Sequence, residues 1–253
     1  MSRIVADDLG HRSTIAETVR RVVSLVPSLT EAIDATDPDL LVGVTDWCTH
    51  PANLTERGIV RVRGTKNPDL HRIRDLAPDL VVANKEENRL LDVERLRGHG
   101  IPVYVTDIET VPQACASMRT LLTEVLGRPA PRWLEQVERR WLGEPPPRHT
   151  RVVVPIWRDP WMIVGRPTFT ADLLSRAGYA VCSPTPGRYP RADLADLDDP
   201  ALADLALLPD EPYVFTETDG PEAFTRIPTR LVSGRLLTWY GPAMLDAAAE
   251  LLP

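Results

Sequence analysis

A cysteine and a histidine stand one residue apart in the segment CTHP, as Cys48 and His50. A thiolate and an imidazole both ligate zinc, copper or iron, and either can approach the metal of a planar chelate along its axis. Two donors do not complete a protein metal site, because structural zinc takes four. Asp46, Glu86 and Glu87 are the acids that would complete one if the fold converges them. The plainer alternative is a turn or hydrogen-bonding histidine next to Pro51. A nucleophilic Cys48 with His50 as its base is a further option, although a catalytic base usually comes from elsewhere in the chain.

Lysine is a second chemical signal. Of the 29 basic residues only two are lysine, Lys66 in GTKNPDL and Lys85 in NKEEN. An ammonium is a compact point charge, whereas a guanidinium is a planar fork. A narrow polar site needing one small cation would keep lysine in an arginine-rich chain. Lys66, beside Thr65, and Lys85 are therefore candidates for holding a carboxylate or phosphate. The alternative is a structural network with Glu86 and Glu87. A Schiff-base lysine has no other supporting feature.

The third signal is aromatic. Trp47, Trp157, Trp161 and Trp239 fall in loops, with Tyr240 adjoining the last. Aromatic faces suit a large planar ligand, since each buries 150–250 Å² in general terms; core packing is the competing explanation. Near them, Arg158 and Asp159 in WRDPW and Asp210 and Glu211 in LPDEPY are polar groups beside apolar walls. Paired acids do acid–base chemistry, and an ion pair from Arg158 to one of these acids is the plainer reading.

These residues need a scaffold that gathers loops. RVVSLVP (21–27), LLVGVT (40–45), IVRVR (59–63), DLVVAN (79–84) and PVYVTD (102–107) read as buried strands. PDLHRIRDLA and ENRLLDVERLRGHG between them carry helical spacing. Ser28 and Glu31 have capping-box spacing. Residues 110–142 read as helical without strands, and GEPPPRH breaks the chain. TRVVVPIW (150–157), WMIVG, TADLLSRAGY, DLALLP, YVFTE, RLVSG, RLLTWY and GPAMLDAAAELL then resume the alternation. Alternating strands and helices argue for parallel sheets, with ligands at the carboxyl ends of strands.

Composition narrows the function class. The chain has 253 residues, a formal net charge of −7 and 43% hydrophobic residues. No basic patch interleaved with aromatics points to nucleic acid. No apolar run reaches the ~18 residues of a membrane span. Three scattered cysteines, Cys48, Cys115 and Cys182, do not form a disulfide framework. With no secretory pattern at the start, the expected location is the cytoplasm and the expected state a monomer.

RVVSLVPSLTE, GTKNPDL, LAPDLVVAN and the GIPVYV step resemble the helical-backbone, or class III, periplasmic binding protein family. These are receptors for cobalamin, haem and ferric siderophores. The resemblance is strong over about 20–128 and weaker over 150–253. It implies an α/β fold of two Rossmann-like lobes with mainly parallel sheets joined by a long backbone helix. The corresponding divisions are 1–108, a bridging segment 109–147, and 148–253, with a ligand between the lobes. It places Asn84, Trp157, Trp161, Tyr189 and Trp239 near ligand-facing aromatic positions of the cobalamin receptors. It also implies a docking glutamate on each lobe, where this chain has His71 and, near the second, Ala195, so docking to a permease is not expected.

The expectation is thus a binding protein for a corrinoid, a tetrapyrrole such as haem, or a chelated transition metal. Its ligand-facing residues would be Cys48, His50, Thr65, Lys66, Asn84, Lys85, Trp157, Arg158, Trp161, Tyr189, Trp239 and Tyr240. The alternatives are an enzyme that modifies a metallophore or other small molecule on the same scaffold, and the substrate-binding component of an ABC importer.

Overall fold

In the computed structural model, which describes residues 1–252, the first sixteen residues form an antiparallel hairpin of β1 (Ser2–Ala6) and β2 (Arg12–Ala16). Its turn is built by Asp7, whose Oδ1 accepts the N–H of Leu9 at 3.1 Å and of His11 at 2.8 Å. Gly10 supplies the positive φ of 79° that closes it. The next residue, Asp8, ties the hairpin down by accepting from the Tyr104 hydroxyl at 3.0 Å and the Asp107 N–H at 3.0 Å.

β3 (Val22–Ser24), β4 (Leu41–Val44) and β5 (Val60–Arg61) follow. A small hairpin, β6 (Arg63–Gly64) with β7 (Asn67–Pro68), separates them from β8 (Leu80–Asn84) and β9 (Val103–Thr106). The five longer-range strands pair in parallel in the order β5-β4-β3-β8-β9. The runs are continuously apolar because both faces of a parallel sheet are covered. Val23, Val81 and Val103 pack with Ile73, Val93 and Leu96 from the helices Leu70–Asp75 and Leu90–Gly98. IVRVR, expected as one strand, is broken. Arg63 sits in the left-handed region at φ 67°, which turns the chain out of the sheet and into the hairpin.

The middle of the chain is helical, as its lack of strand pattern implies, but it is not one rod. A helix at Val111–Arg119 continues as a π-type turn over Thr120–Val125 and stops at Gly127, φ 66°. A second helix runs over Arg132–Trp141. The segment GRPAP between them holds a left-handed glycine and two prolines, which end one helix and allow the next to begin.

A second parallel sheet is made of β10 (Thr150–Val153), β13 (Tyr179–Val181), β14 (Leu205–Pro209) and β15 (Thr229–Val232), in the order β13-β10-β14-β15. A hairpin of β11 (Pro155–Trp157) and β12 (Met162–Ile163) leaves its carboxyl edge. Val153, Ala206 and Leu208 pack with Trp161, Phe215 and Phe224. YVFTE forms no strand; Phe215 is buried and Val214 exposed in a loop.

The contacts group into two compact units, each mixed α/β. One holds Met1–Ile108, Gln113–Gln136 and Tyr240–Pro242; the other holds Glu109–Pro112, Val137–Trp239 and Ala243–Pro253. The segment 109–147 is divided between them.

Asp198 locks the second unit from inside. Its buried carboxylate accepts the backbone N–H groups of Thr225 at 2.8 Å, Arg226 at 2.9 Å and Ile227 at 2.9 Å. Burial alone would raise its pKa, but these bonds together hold it below the ordinary carboxylate value. Asp198→Ala should cost on the order of 2 kcal/mol at pH 7, because three backbone donors, that of Ile227 buried, lose a charged acceptor. A depressed carboxylate pKa contributes stability above the unfolded value of about 4. The gap between wild type and variant should therefore narrow as pH falls through the depressed folded value, read by urea titration at pH 7 and pH 3.

Candidate functional site

In the first unit the strand order reverses at β3, whose two neighbours, β4 and β8, lie on opposite sides. Open α/β sheets place ligands at the carboxyl end of such a switch point. There, two asparagines four residues apart build the turn after β8. The Asn84 side-chain oxygen accepts the N–H of Glu86 at 2.8 Å and of Glu87 at 3.2 Å, and its amide donates to Thr106 Oγ1 at 3.1 Å. Asn88 Oδ1 accepts the Asn84 N–H at 2.8 Å, while its Nδ2 donates to the carbonyls of Leu25 at 3.2 Å and Thr65 at 3.0 Å. Three loops are laced together by one side chain. Asn88 was not singled out from the sequence, although its spacing from Asn84 is that of a self-bonded turn.

Both lysines lie on this edge, and each has a protein partner. Lys66 donates to the backbone carbonyl of Glu86. Lys85 pairs with Asp107 at 2.7 Å. Tyr240 is buried with its hydroxyl beside Ser28 and Thr106; burial, and then the charge of Glu87, raise its pKa well above the ordinary value.

The loop after β4 separates the two residues of CTHP. Cys48 is fully buried, its Sγ 3.1 Å from the hydroxyls of Thr30 and Thr45. Burial pushes its thiol pKa up, against those hydrogen bonds and the Arg61 charge. Arg61 pins the loop by donating to the carbonyls of Thr45 and Cys48, both at 2.8 Å. His50 is exposed, its Nδ1 3.1 Å from Thr49 Oγ1. A buried, protonated thiol is a poor ligand and a poor nucleophile. Among the described residues no group of three or more His, Cys, Asp or Glu side chains is placed to hold a metal ion. The expected metal pair is corrected accordingly: Cys48 faces the core and His50 faces solvent.

In the second unit β10 lies between β13 and β14, so its carboxyl end is again a switch point. Trp157, 45% exposed, stands edge-on to Tyr213 with ring centroids 5.7 Å apart. Arg158 is clamped by Asp219 and by Glu222 at 2.5 Å, and lies 5.6 Å over the Trp161 ring. Its close acid partners are thus in DGPE (219–222), with a looser contact to Asp159 at 3.8 Å, rather than in LPDEPY. Tyr213 completes the cluster, donating to Asp219 at 2.6 Å. Trp161, 9% exposed, stacks on Phe215 at 6.0 Å, and Trp239 is 7% exposed. These two rings are packing residues, while Trp47, Trp157 and Tyr189 are exposed.

No family model matches the chain. A vitamin B12-binding protein of Pectobacterium carotovorum subsp. carotovorum (strain PC1) is 33% identical over 105 residues. That match covers 41% of this chain and 37% of the relative, so the chain spans under two fifths of the length of the curated relative it matches. Solved structures are matched over nearly the whole length. The periplasmic vitamin B12-binding protein BtuF of Vibrio cholerae superposes with a TM-score of 0.69 at 16% identity, over 92% of this chain and 95% of that one. The periplasmic heme-binding protein RhuT from Roseiflexus sp. RS-1 does so with 0.71 at 19%, over 92% and 96%. These likenesses give the chain the fold of the periplasmic binding proteins, with a sequence likeness to a vitamin B12-binding protein over 105 residues. The two-lobed, mainly parallel α/β architecture expected from the resemblance is that class III fold. The expected cytoplasmic location is overturned by these neighbours, which are periplasmic proteins.

Glu211 offers a titration handle on the second unit's edge. Burial raises its carboxyl pKa, against hydrogen bonds from Trp239 and Thr238, the latter at 3.3 Å. A raised carboxyl pKa means that folding favours the protonated form, so stability is fully present below the unfolded value and is lost as pH rises through the folded one. Glu211→Gln, which keeps the shape without the charge, should raise Tm at pH 7.5 relative to wild type. The gain should vanish near pH 4, measured by thermal melts across the range.

Proposed function

We propose that this protein is a solute-binding protein for a corrinoid, haem or another metal chelate, and that it delivers its ligand to an importer. The observation that carries the reading is the half-exposed Trp157, held edge-on by Tyr213 beside the clamped Arg158, on a switch-point edge of a class III fold. A rigid aromatic face suits a planar macrocycle. The names of the relatives, which bind vitamin B12 and heme, support the same ligand class. They also favour the importer component over a free-standing cytosolic carrier.

Recognition on this reading rests on Trp157, Tyr189 and Arg158, with Lys66, Asn84 and Lys85 shaping the edge of the first unit. The ligand's own metal would come with it as cargo.

The test is titration of the purified protein with cyanocobalamin and with haemin, followed by absorption and tryptophan fluorescence. Saturable binding of one of them at one ligand per chain is expected. Trp157→Ala should weaken that binding about tenfold or more, the scale of a stacked aromatic contact, without moving Tm. Failure of both ligands and of a ferric siderophore to bind below about 0.1 mM, a free energy of roughly −5.5 kcal/mol, would overturn the reading.

A further inference from the structure

The first unit carries a second feature that the ligand edge does not use. The helices Leu70–Asp75 and Leu90–Gly98 and the β6–β7 hairpin enclose an open cavity of about 380 Å³. Arg63, His71, Arg74, Arg95 and His99 line it, with Asp69 as the only acid. The clustering follows from helix geometry. His71 and Arg74 are three residues apart and so share a face; Arg95 and His99, four apart, share another. Three guanidinium groups therefore meet around one bowl in a chain whose formal net charge is −7.

The single acid is already committed. Asp69 caps the helix that follows by accepting the Arg72 N–H at 3.1 Å, and its pKa is held down by that bond and by nearby Arg63, Arg72 and His71. Its pair with Arg63 is long, at 3.6 Å. Arg95 has a loose contact with Asp92 at 3.7 Å, and Asp92 is buried and bound more closely by Arg89 at 2.9 Å. No short ion pair inside the bowl neutralises Arg63, Arg74 or Arg95 among the described residues. Arg63 is moreover held at φ 67°, a conformation that non-glycine residues adopt rarely and that clusters at binding sites.

We propose that this cavity is a binding site for a small anion bearing several phosphate groups. Guanidinium forks recognise phosphate with paired hydrogen bonds, and forks that arrive from three chain segments suit a tetrahedral group with oxygens on every side. The volume lies at the lower end of small-molecule pockets, more than one phosphate fills. Pro68 and Leu70 add an apolar wall. A concave bowl favours a small ligand over the flat face of an acidic protein.

Isothermal titration of the full chain with inorganic tripolyphosphate at pH 7 and about 0.15 M salt, where exposed charges are screened beyond roughly 8 Å, tests the site. One saturable site per chain is expected. Arg74→Gln with Arg95→Gln should weaken it about tenfold or more, the loss of charged hydrogen bonds. Arg139→Gln with Arg140→Gln, on the exposed face of another helix, should leave it within about twofold. Both arginine pairs are exposed, so melts should show each variant folded. Absence of saturable binding, equal weakening in both double variants, or citrate binding as tightly as tripolyphosphate would each overturn the proposal. Selective capture of an acidic polypeptide in place of tripolyphosphate would also overturn it.

Discussion

The parallel pairing of β3 with β4 on one side and β8 on the other is the constraint on which the first unit depends. It sends the chain after β3 and the chain after β8 away from each other at the same sheet end. A gap opens there, lined by backbone that lacks sheet partners. Asn84 and Asn88 fill that deficit. Their carboxamides take the N–H groups of the turn and give their own to Leu25, Thr65 and Thr106. The edge is therefore rigid before any ligand arrives, and preorganised surfaces lose less on binding.

The second unit solves the same problem with charge and rings. At the carboxyl end of β10 the polar groups are consumed internally: Arg158 by Asp219 and Glu222, Tyr213 by Asp219, Asp210 by the Gly234 N–H at 2.6 Å. Gly234 is required there, because a Cβ would lie 2.3 Å from the Glu211 side chain and 2.9 Å from its backbone. What this edge offers outward is the Trp157 face and the carboxylates that clamp Arg158. A ligand recognised here would be selected more by shape and polarisability than by a dense set of hydrogen bonds.

Much of this was legible in the sequence. Valine-rich runs bounded by turn residues located β4, β8 and β9 to within a residue, because continuous apolar character is what a two-sided parallel sheet demands, while the run 21–27 overshot β3 by three residues at its end. The β1–β2 hairpin was not, since RSTIA and SRIVA alternate too weakly to announce a strand. Arg63 defeated the fifth run by a backbone angle that its residue type does not reveal. At the site, sequence spacing put Lys66, Lys85 and Trp157 on strand-following loops, but it could not say which way a side chain turns. Cys48, Trp161 and Trp239 turn inward, and the partners of Arg158 lie some sixty residues on, in a loop whose role is only tertiary. Location was misjudged because charge and cysteine content describe solubility and redox state, and these do not distinguish one aqueous compartment from another.

The division of the chain between its two units carries a consequence for how it is made. Neither unit is a continuous length of polypeptide: the chain passes from one to the other after Ile108, Pro112, Gln136, Trp239 and Pro242. During synthesis the first unit still lacks Tyr240–Pro242 when nearly all of the second has been translated. Tyr240 buries its ring in that first unit and Gly241 sits against Ala32 and Ser28. Completion of the earlier unit thus waits on the end of the later one, so the two are obliged to mature together rather than in succession.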